Sequence, residues 1–315
     1  MTDFAMQYGD HVTRARRDGR PLVALESTLV SHGLPRPDNL RVAHQIEQTV
    51  RDNGAVPATI GMIGGKLVVG LSDDQIAHLA GSDDVAKLSV RDLAVAAATG
   101  ADGATTVAAT SAVAAAAGIG VFATGGLGGV HREAGVTFDE SADLTTLART
   151  PVVVVCAGVK SILDVGATLE RLETLGVPVA GYRTRRFPGF FVTDGGFDVD
   201  WSLDSTAQVA DVIKARDEQG VSDAALIVAN PVPPGEQLDP ALHDRTLAEG
   251  LRLLSERGIT GKAVTPFLLA HFHSSTGGQS LAVNVRIILS NAALAAQIAA
   301  AAAPAPAPLG FSVPT

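Results

Sequence analysis

Two side chains in this sequence stand where an apolar run meets a polar turn, and both are of a type that can move protons or electron pairs. Lys160 follows Val152-Val153-Val154-Val155-Cys156-Ala157-Gly158-Val159, the pattern of a buried strand, and precedes a segment of helical spacing. In α/β sheets the carboxyl ends of strands are where ligands bind. A lysine held there in partly apolar surroundings can lose its proton near neutral pH and attack a carbonyl or an anomeric carbon. A solvated loop lysine would carry the same local sequence. Glu26 closes the run Leu22-Val23-Ala24-Leu25 and opens a turn that contains Ser31, His32 and Gly33. Burial at that point would lift a carboxyl pKa into the range of a general acid, whereas a turn carboxylate would accept backbone hydrogen bonds.

Further along, Asp139-Glu140-Ser141-Ala142-Asp143 places three carboxylates within five residues. Hard oxygen ligands of this kind suit Mg²⁺ or Mn²⁺ that keeps part of its water shell. The same residues suit a helix cap, because Ser141 precedes an apolar run. The loop Gly125-Gly126-Leu127-Gly128-Gly129-Val130-His131-Arg132 could offer its amides and His131 to a phosphate. It lacks the Gly-Lys-Ser/Thr of a Walker loop. Lys87 could supply a further cation. Cys156 ends four valines and reads as a small buried hydrophobe rather than a nucleophile. His-Glu-x-x-His, Cys-x-x-Cys and Gly-x-Ser-x-Gly are all missing from the sequence, which argues against zinc and serine-hydrolase chemistry.

The elements that must position these groups alternate between strand and helix. Apolar spacing at Val42, Ile46 and Val50 predicts a helix over residues 40–51, capped by Asp38-Asn39. Ile60 to Ile63 and Lys66 to Gly70 read as a hairpin across Gly64-Gly65, and Ser72 caps the next helix. An Ala-rich helix follows Gly103-Ala104-Thr105-Thr106, and Ile119 to Ala123 reads as a buried strand. The strand Val152 to Val155, a helix over Ser161 to Leu175 and a strand over Pro178 to Tyr182 form a β-α-β unit. Another strand, Ala225 to Ala229, stops at Asn230-Pro231-Val232-Pro233. A long Ala-rich helix spans about Ser280 to Ala302. Residues 188–204 offer no functional handle. The alternation predicts a single α/β domain, three-layer α/β/α, around a central mixed, largely parallel sheet. Residues 1–19 read as an N-terminal helical extension, 20–300 as the main domain, and the Ala/Pro-rich 301–315 as a disordered tail.

Composition narrows the partners. With 46% hydrophobic residues in 315, the chain can bury a large core, and its 4% aromatic content suits a small polar ligand more than a Trp- and Tyr-rich recognition surface. A formal charge of −9 opposes nucleic-acid polymers, which are held by clustered Lys and Arg. A local pocket of a few cations can still bind a small anion, because distant charge is screened over about 10 Å. A lone cysteine, a polar N-terminus and the lack of about 20 uninterrupted apolar residues point to a cytoplasmic protein with no membrane partner.

Several strings taken in order go beyond composition: Ala24-Leu25-Glu26-Ser27-Thr28-Leu29-Val30-Ser31-His32-Gly33-Leu34-Pro35, Gly103 to Val107, Ala123 to Arg132, Cys156 to Asp164, Asn230 to Pro233 and Thr265 to Leu269. Over roughly residues 20–300 the sequence resembles the pseudouridine-5′-phosphate glycosidases, also called indigoidine synthase A-like proteins. The resemblance implies a homotrimeric α/β/α enzyme that reversibly converts pseudouridine 5′-phosphate and water to uracil and ribose 5-phosphate with Mn²⁺, or another divalent ion such as Mg²⁺. It implies Lys160 as nucleophile, Glu26 as proton donor and Asp139 as metal ligand. Lys87, Val107, Ser141, Ala142, Asp143, His131 and Asn284 would contact substrate. Another lysine-dependent sugar-phosphate lyase, or an inactive sugar-phosphate binder, would share part of this constellation.

Overall fold

Strand β1 (Met6–Tyr8) leads into helix α1 (Asp10–Arg17), β2 (Leu22–Glu26), α2 (Asp38–Asp52), β3 (Val56–Ile63), β4 (Lys66–Val69) and α3 (Asp73–Gly81). Then come β5 (Ala86–Leu88), α4 (Leu93–Thr99), β6 (Gly103–Thr105), α5 (Val107–Ala116), β7 (Val121–Ala123), the short α6 (Ala134–Thr137) and α7 (Ala142–Leu147). The second half holds β8 (Val153–Cys156), α8 (Val165–Thr174), β9 (Val179–Tyr182), β10 (Arg186–Phe187), β11 (Phe197–Asp198), β12 (Trp201–Leu203) and α9 (Thr206–Glu218). It closes with β13 (Leu226–Ala229), α10 (Pro240–Arg257), α11 (Val264–Ser275) and α12 (Gln279–Ala302). These come from a computed structural model, which describes residues 5–303 apart from Ser222.

Eleven strands form one sheet in the order β1-β4-β3-β2-β7-β8-β13-β9-β12, with β6 beside β3 and β5 beside β6. Pairings are parallel except β3 with β4 and β3 with β6, so the sheet is mixed and largely parallel, as the alternation of elements predicts. Period-two alternation divides each central strand between two cores. Ala24, Val154 and Ile227 face one core with residues of α5, α7 and α8, while Val23, Leu25, Val153, Val155 and Leu226 face the other with α2, α9 and α12. Helices thus cover both faces, the α/β/α layering.

Two local expectations need correction. The helix after Lys160 starts at Val165 rather than Ser161, because Asp164 caps it by accepting from Ala167 N at 2.9 Å. Leu163 N instead donates to Lys160 O at 2.9 Å, a turn that keeps the lysine outside the helix. β8, α8 and β9 form the expected parallel β-α-β unit, with β13 inserted between its two strands. Asp38 and Asn39 lie inside α2 rather than capping it: Asn39 directs its amide to the carbonyls of Val30 and Ala80, both at 2.9 Å. The N-terminal segment includes α1, but Met6–Tyr8 also joins the sheet as an edge strand parallel to β4. Of the expected tail, Ala301 and Ala302 complete α12, and residues 304–315 lie outside the described residues.

Helix α12 is long and apolar enough to cross a bilayer. Its place in this fold is internal: it lies against α2, α9, β7 and β8, with Asn284, Ile288, Asn291 and Ala295 buried. Two asparagines seven residues apart share one face of the helix, where the apolar pattern alone would put alanine or leucine.

The polar turn after β2 is locked by Ser27, which is 1% exposed. Its Oγ donates to Ile60 O at 2.7 Å and accepts from Thr105 N at 2.9 Å, tying β2, β3 and β6 together at one point. Ser27→Ala would leave the Thr105 amide buried without an acceptor. Loss of about 1–3 kcal/mol is expected, read as a lower urea midpoint with an unchanged m-value.

Candidate active site

The carboxyl ends of β2, β7 and β8 carry the chemistry. Glu26 is the last residue of β2, and Thr124 directly follows β7, the next strand in the sheet. Lys160 stands four residues past β8, in a loop that stays paired: Leu127 N donates to Gly158 O at 2.9 Å and Lys160 N to Leu127 O at 3.1 Å. A π-helical turn, Leu29–Gly33, swings the chain away after Glu26 and brings His32 back to the same space. These loops enclose a cavity of about 360 Å³, a size suited to a small molecule. All ten residues singled out from the sequence line it: Glu26, Lys87, Val107, His131, Asp139, Ser141, Ala142, Asp143, Lys160 and Asn284.

The acidic stretch separates into three roles. Glu140 accepts from Arg171 Nε at 3.0 Å. Asp143, 6% exposed, accepts from Ala108 N at 2.9 Å and Gly128 N at 2.8 Å, so its carboxylate joins the first turn of α5 to the glycine loop. Ser141 caps α7, its Oγ accepting from Asp143 N at 3.2 Å. Asp139 lines the cavity with them, His131 Nδ1 standing 3.7 Å from its Oδ2. Among the described residues no group of three His, Cys, Asp or Glu side chains converges as a ready-made metal cage. One carboxylate such as Asp139 does fit a hard divalent ion that keeps several waters and takes further oxygens from a bound phosphate.

Four amides of the glycine loop are engaged within the protein. Its Leu127, Gly128, Val130 and His131 N–H groups donate to Gly158 O, Asp143 Oδ2, Thr168 Oγ1 and Asp139 O respectively. Glycine is required here for close approach: a Cβ on Gly128 would come 2.3 Å from Ser141 Oγ, and one on Gly126 would come 2.6 Å from Phe190 Cδ2. The loop is a braced extension of the β7–β8 pairing. Lys87, Arg91 and Lys160 all stand on the cavity wall.

Burial pushes the Glu26 carboxyl above its ordinary value, and Asp143 adds to the push. The positive charges of Lys160 and Lys87 and a hydrogen bond from Thr124 oppose it. The net rise suits an acid that must hold a proton until it is used. Burial lowers the His32 pKa, reinforced by Lys87, which favours a neutral imidazole. Burial also pushes the Cys156 thiol up to about 12, so this residue is an inert part of the core.

Sequence reasoning passed over Thr124, Arg91, His32 as a wall residue, and Phe190. Phe190 belongs to the segment that offered no handle, has φ 63° and closes the cavity beside Gly126. Thr124 carried a usable signal, since it ends its strand as Glu26 ends the neighbouring one. Asn284 Oδ1 is buried without a hydrogen-bond partner while its residue lines the cavity, an acceptor that a bound donor would satisfy.

A largely parallel sheet with an amine and a buried carboxyl of raised pKa at its carboxyl edge defines an α/β enzyme with a small-molecule cavity. The chain belongs to the indigoidine synthase A-like family, whose model matches residues 11–301. A protein of Salinispora tropica named pseudouridine-5′-phosphate glycosidase is 76% identical, the match covering 96% of this chain and 93% of that one. One of the same name from Saccharopolyspora erythraea is 57% identical, covering 92% and 95%. Among solved structures, the prealnumycin C-glycosynthase AlnA in complex with ribulose 5-phosphate superposes with a TM-score of 0.87 at 39% identity, covering 96% of this chain and 98% of that one. An indigoidine synthase A-like protein of Thermotoga maritima gives a TM-score of 0.84 at 33% identity, covering 95% and 97%.

The raised Glu26 pKa has a consequence for stability. A group whose folded-state pKa is raised contributes stability that is fully present below its unfolded value, here the ordinary 4.5, and is lost as pH rises through the folded value. Glu26→Gln stays neutral throughout. Thermal unfolding should show the variant gaining on the parent as pH climbs above 4.5, with a constant difference below it.

Proposed function

We propose that this protein is a pseudouridine-5′-phosphate glycosidase that reversibly cleaves the carbon–carbon bond between uracil C5 and ribose C1′. The observation that carries the reading is the convergence of Glu26 and Lys160 on one cavity, in a chain 76% identical to a protein of that name. A sugar phosphate bound to the structurally similar AlnA agrees with a phosphorylated ligand.

The bond to be broken explains the residue types. Uracil leaves through carbon, so protonating a leaving oxygen or nitrogen is no help, and the electrons need a sink. As the furanose ring opens, the Lys160 nitrogen gives up a proton and bonds to C1′, and O4′ takes a proton. The nitrogen lone pair then forms a C1′=N double bond as the C1′–C5 bond breaks, and Glu26 delivers a proton to C5, releasing neutral uracil. Water adds to the iminium carbon, and its collapse frees ribose 5-phosphate and restores the amine. Lys87 and Arg91 contribute positive charge to phosphate binding, and the Asn284 acceptor takes a donor from the substrate. Asp139 would hold a hydrated Mn²⁺ or Mg²⁺, which when bound supplies charge that neutralises the phosphate.

The test is uracil release from pseudouridine 5′-phosphate, with unphosphorylated pseudouridine and uridine 5′-phosphate as comparisons. Release is expected from the phosphorylated C-nucleoside alone. It should fall on chelation and return with Mn²⁺, and Asp139→Asn should weaken the response to added metal. Lys160→Ala should show no turnover while still binding substrate. Glu26→Gln should lose about 10²–10⁴-fold in kcat, the usual contribution of a positioned acid. No release from folded protein would shift the reading to another lysine-dependent sugar-phosphate reaction, and full activity in Lys160→Ala would sink the mechanism.

A further inference from the structure

Thr124 is wholly buried and does not line the cavity, yet every polar atom it has is engaged. Its N–H donates to Val155 O at 3.0 Å, its carbonyl accepts from Asn291 Nδ2 at 2.8 Å, and its hydroxyl donates to Glu26 Oε1. Asn291, also wholly buried, reaches Gly125 O at 3.4 Å with the same Nδ2. Its Oδ1 accepts from Asn230 Nδ2 at 2.9 Å. Asn230 is anchored in turn, its N–H donating to Cys156 O at 2.8 Å and its Nδ2 also reaching Ser290 Oγ at 3.1 Å. A continuous polar bar therefore crosses the carboxyl ends of four adjacent strands, β13, β8, β7 and β2, and ends on one oxygen of Glu26.

We propose that Thr124, held in place by Asn291 and Asn230, is a positioning residue that decides which oxygen of Glu26 carries the transferred proton. In a neutral carboxyl the carbonyl-type oxygen is the better acceptor, so a hydroxyl donating to Oε1 leaves the proton on Oε2. Glu26 lines the cavity, and on this proposal Oε2 is the oxygen that meets the substrate. The inference rests on the reading of Glu26 as proton donor. It extends that reading from the acid to the structure that orients it, and it gives α12 a second asparagine with a task, two turns beyond Asn284.

The sign of the effect on titration follows from the groups around Glu26. Burial and Asp143 favour its neutral form, while Lys160, Lys87 and the Thr124 hydroxyl favour the anion. Thr124→Val keeps the shape and removes the donor, so the Glu26 pKa rises. An acid that works protonated loses activity as pH rises through its pKa, so the descending limb of the pH profile moves to higher pH. With both oxygens free to carry the proton, kcat falls.

The experiment measures kcat and KM across pH for the wild type, Thr124→Val, Thr124→Ser, Thr124→Ala and Asn291→Leu. Alongside it, the Glu26 carboxyl is titrated by ¹³C NMR, its resonance assigned with Glu26→Gln. Thr124→Val is expected to lose about 10- to 100-fold in kcat, the scale of a misplaced catalytic group, with KM within about threefold. Its descending limb and its NMR titration should both move up in pH. Thr124→Ser should recover most of the loss, and Asn291→Leu should move the limb the same way by less. An unmoved limb and kcat in Thr124→Val overturns the proposal, as does equal impairment of the serine and alanine variants, which differ in the hydroxyl and remain a valid pair if valine does not fold. An Asn291→Leu profile superimposed on the wild type removes Asn291 from it. Should the wild type release no uracil, the glycosidase reading fails, and the NMR titrations still decide this inference.

Discussion

Asp143 holds its carboxylate between two backbone amides, Ala108 N on α5 and Gly128 N on the glycine loop, and the shape of the cavity depends on that clasp. A buried carboxylate is costly unless its oxygens are hydrogen bonded, and two amides, one of them at a helix N-terminus, meet the requirement. The clasp brings the segment after β6 and the segment after β7 onto the same side of the cavity. It also holds a negative charge close enough to Glu26 to favour the neutral acid. A residue that looks from its neighbours like one of three metal ligands acts as a tie between loops.

Around that tie the charges balance at short range rather than across the molecule. The chain carries a formal −9, yet Lys87, Arg91 and Lys160 all reach the cavity, and the carboxylates near them are assigned: Glu140 to Arg171, Asp143 to amides, Glu26 to Thr124. Asp139 faces His131, 3.7 Å away. Net charge governs long-range association, and a half-enclosed cavity is governed by the few groups on its wall. The family relationship and the cavity agree on this point, because each calls for a small anionic ligand rather than a polymer.

Loops that extend a parallel sheet past its last hydrogen-bonded residues have to find partners for their amides and carbonyls. Here they find one another. The β7 and β8 extensions pair at Leu127 and Val159, Asn291 takes the Thr124 carbonyl, and Asn230 takes Cys156 O. The Gly-rich composition of residues 125–129 thus reflects close packing against Ser141, Thr168 and Phe190.

The sequence by itself determined much of the frame. Apolar runs ahead of Lys160 and Glu26 marked two strand ends, alternating strands and helices marked an α/β/α sheet, and ordered strings pointed to the family and to ten residues that the structure gathers on one cavity. These signals are local, and local periodicity survives in a one-dimensional record. What only the tertiary structure decided is pairing: that β13 lies between β8 and β9, that Asp143 faces two amides and Glu140 an arginine, and that Thr124 and Asn291 stand behind Glu26. Asn291 is 167 residues from the carbonyl it holds, and Asp143 is 35 residues from Ala108. A buried polar side chain is stable only if a partner meets it, and which partner does so is set by the folding of distant segments onto one sheet edge rather than by the residues beside it in the chain.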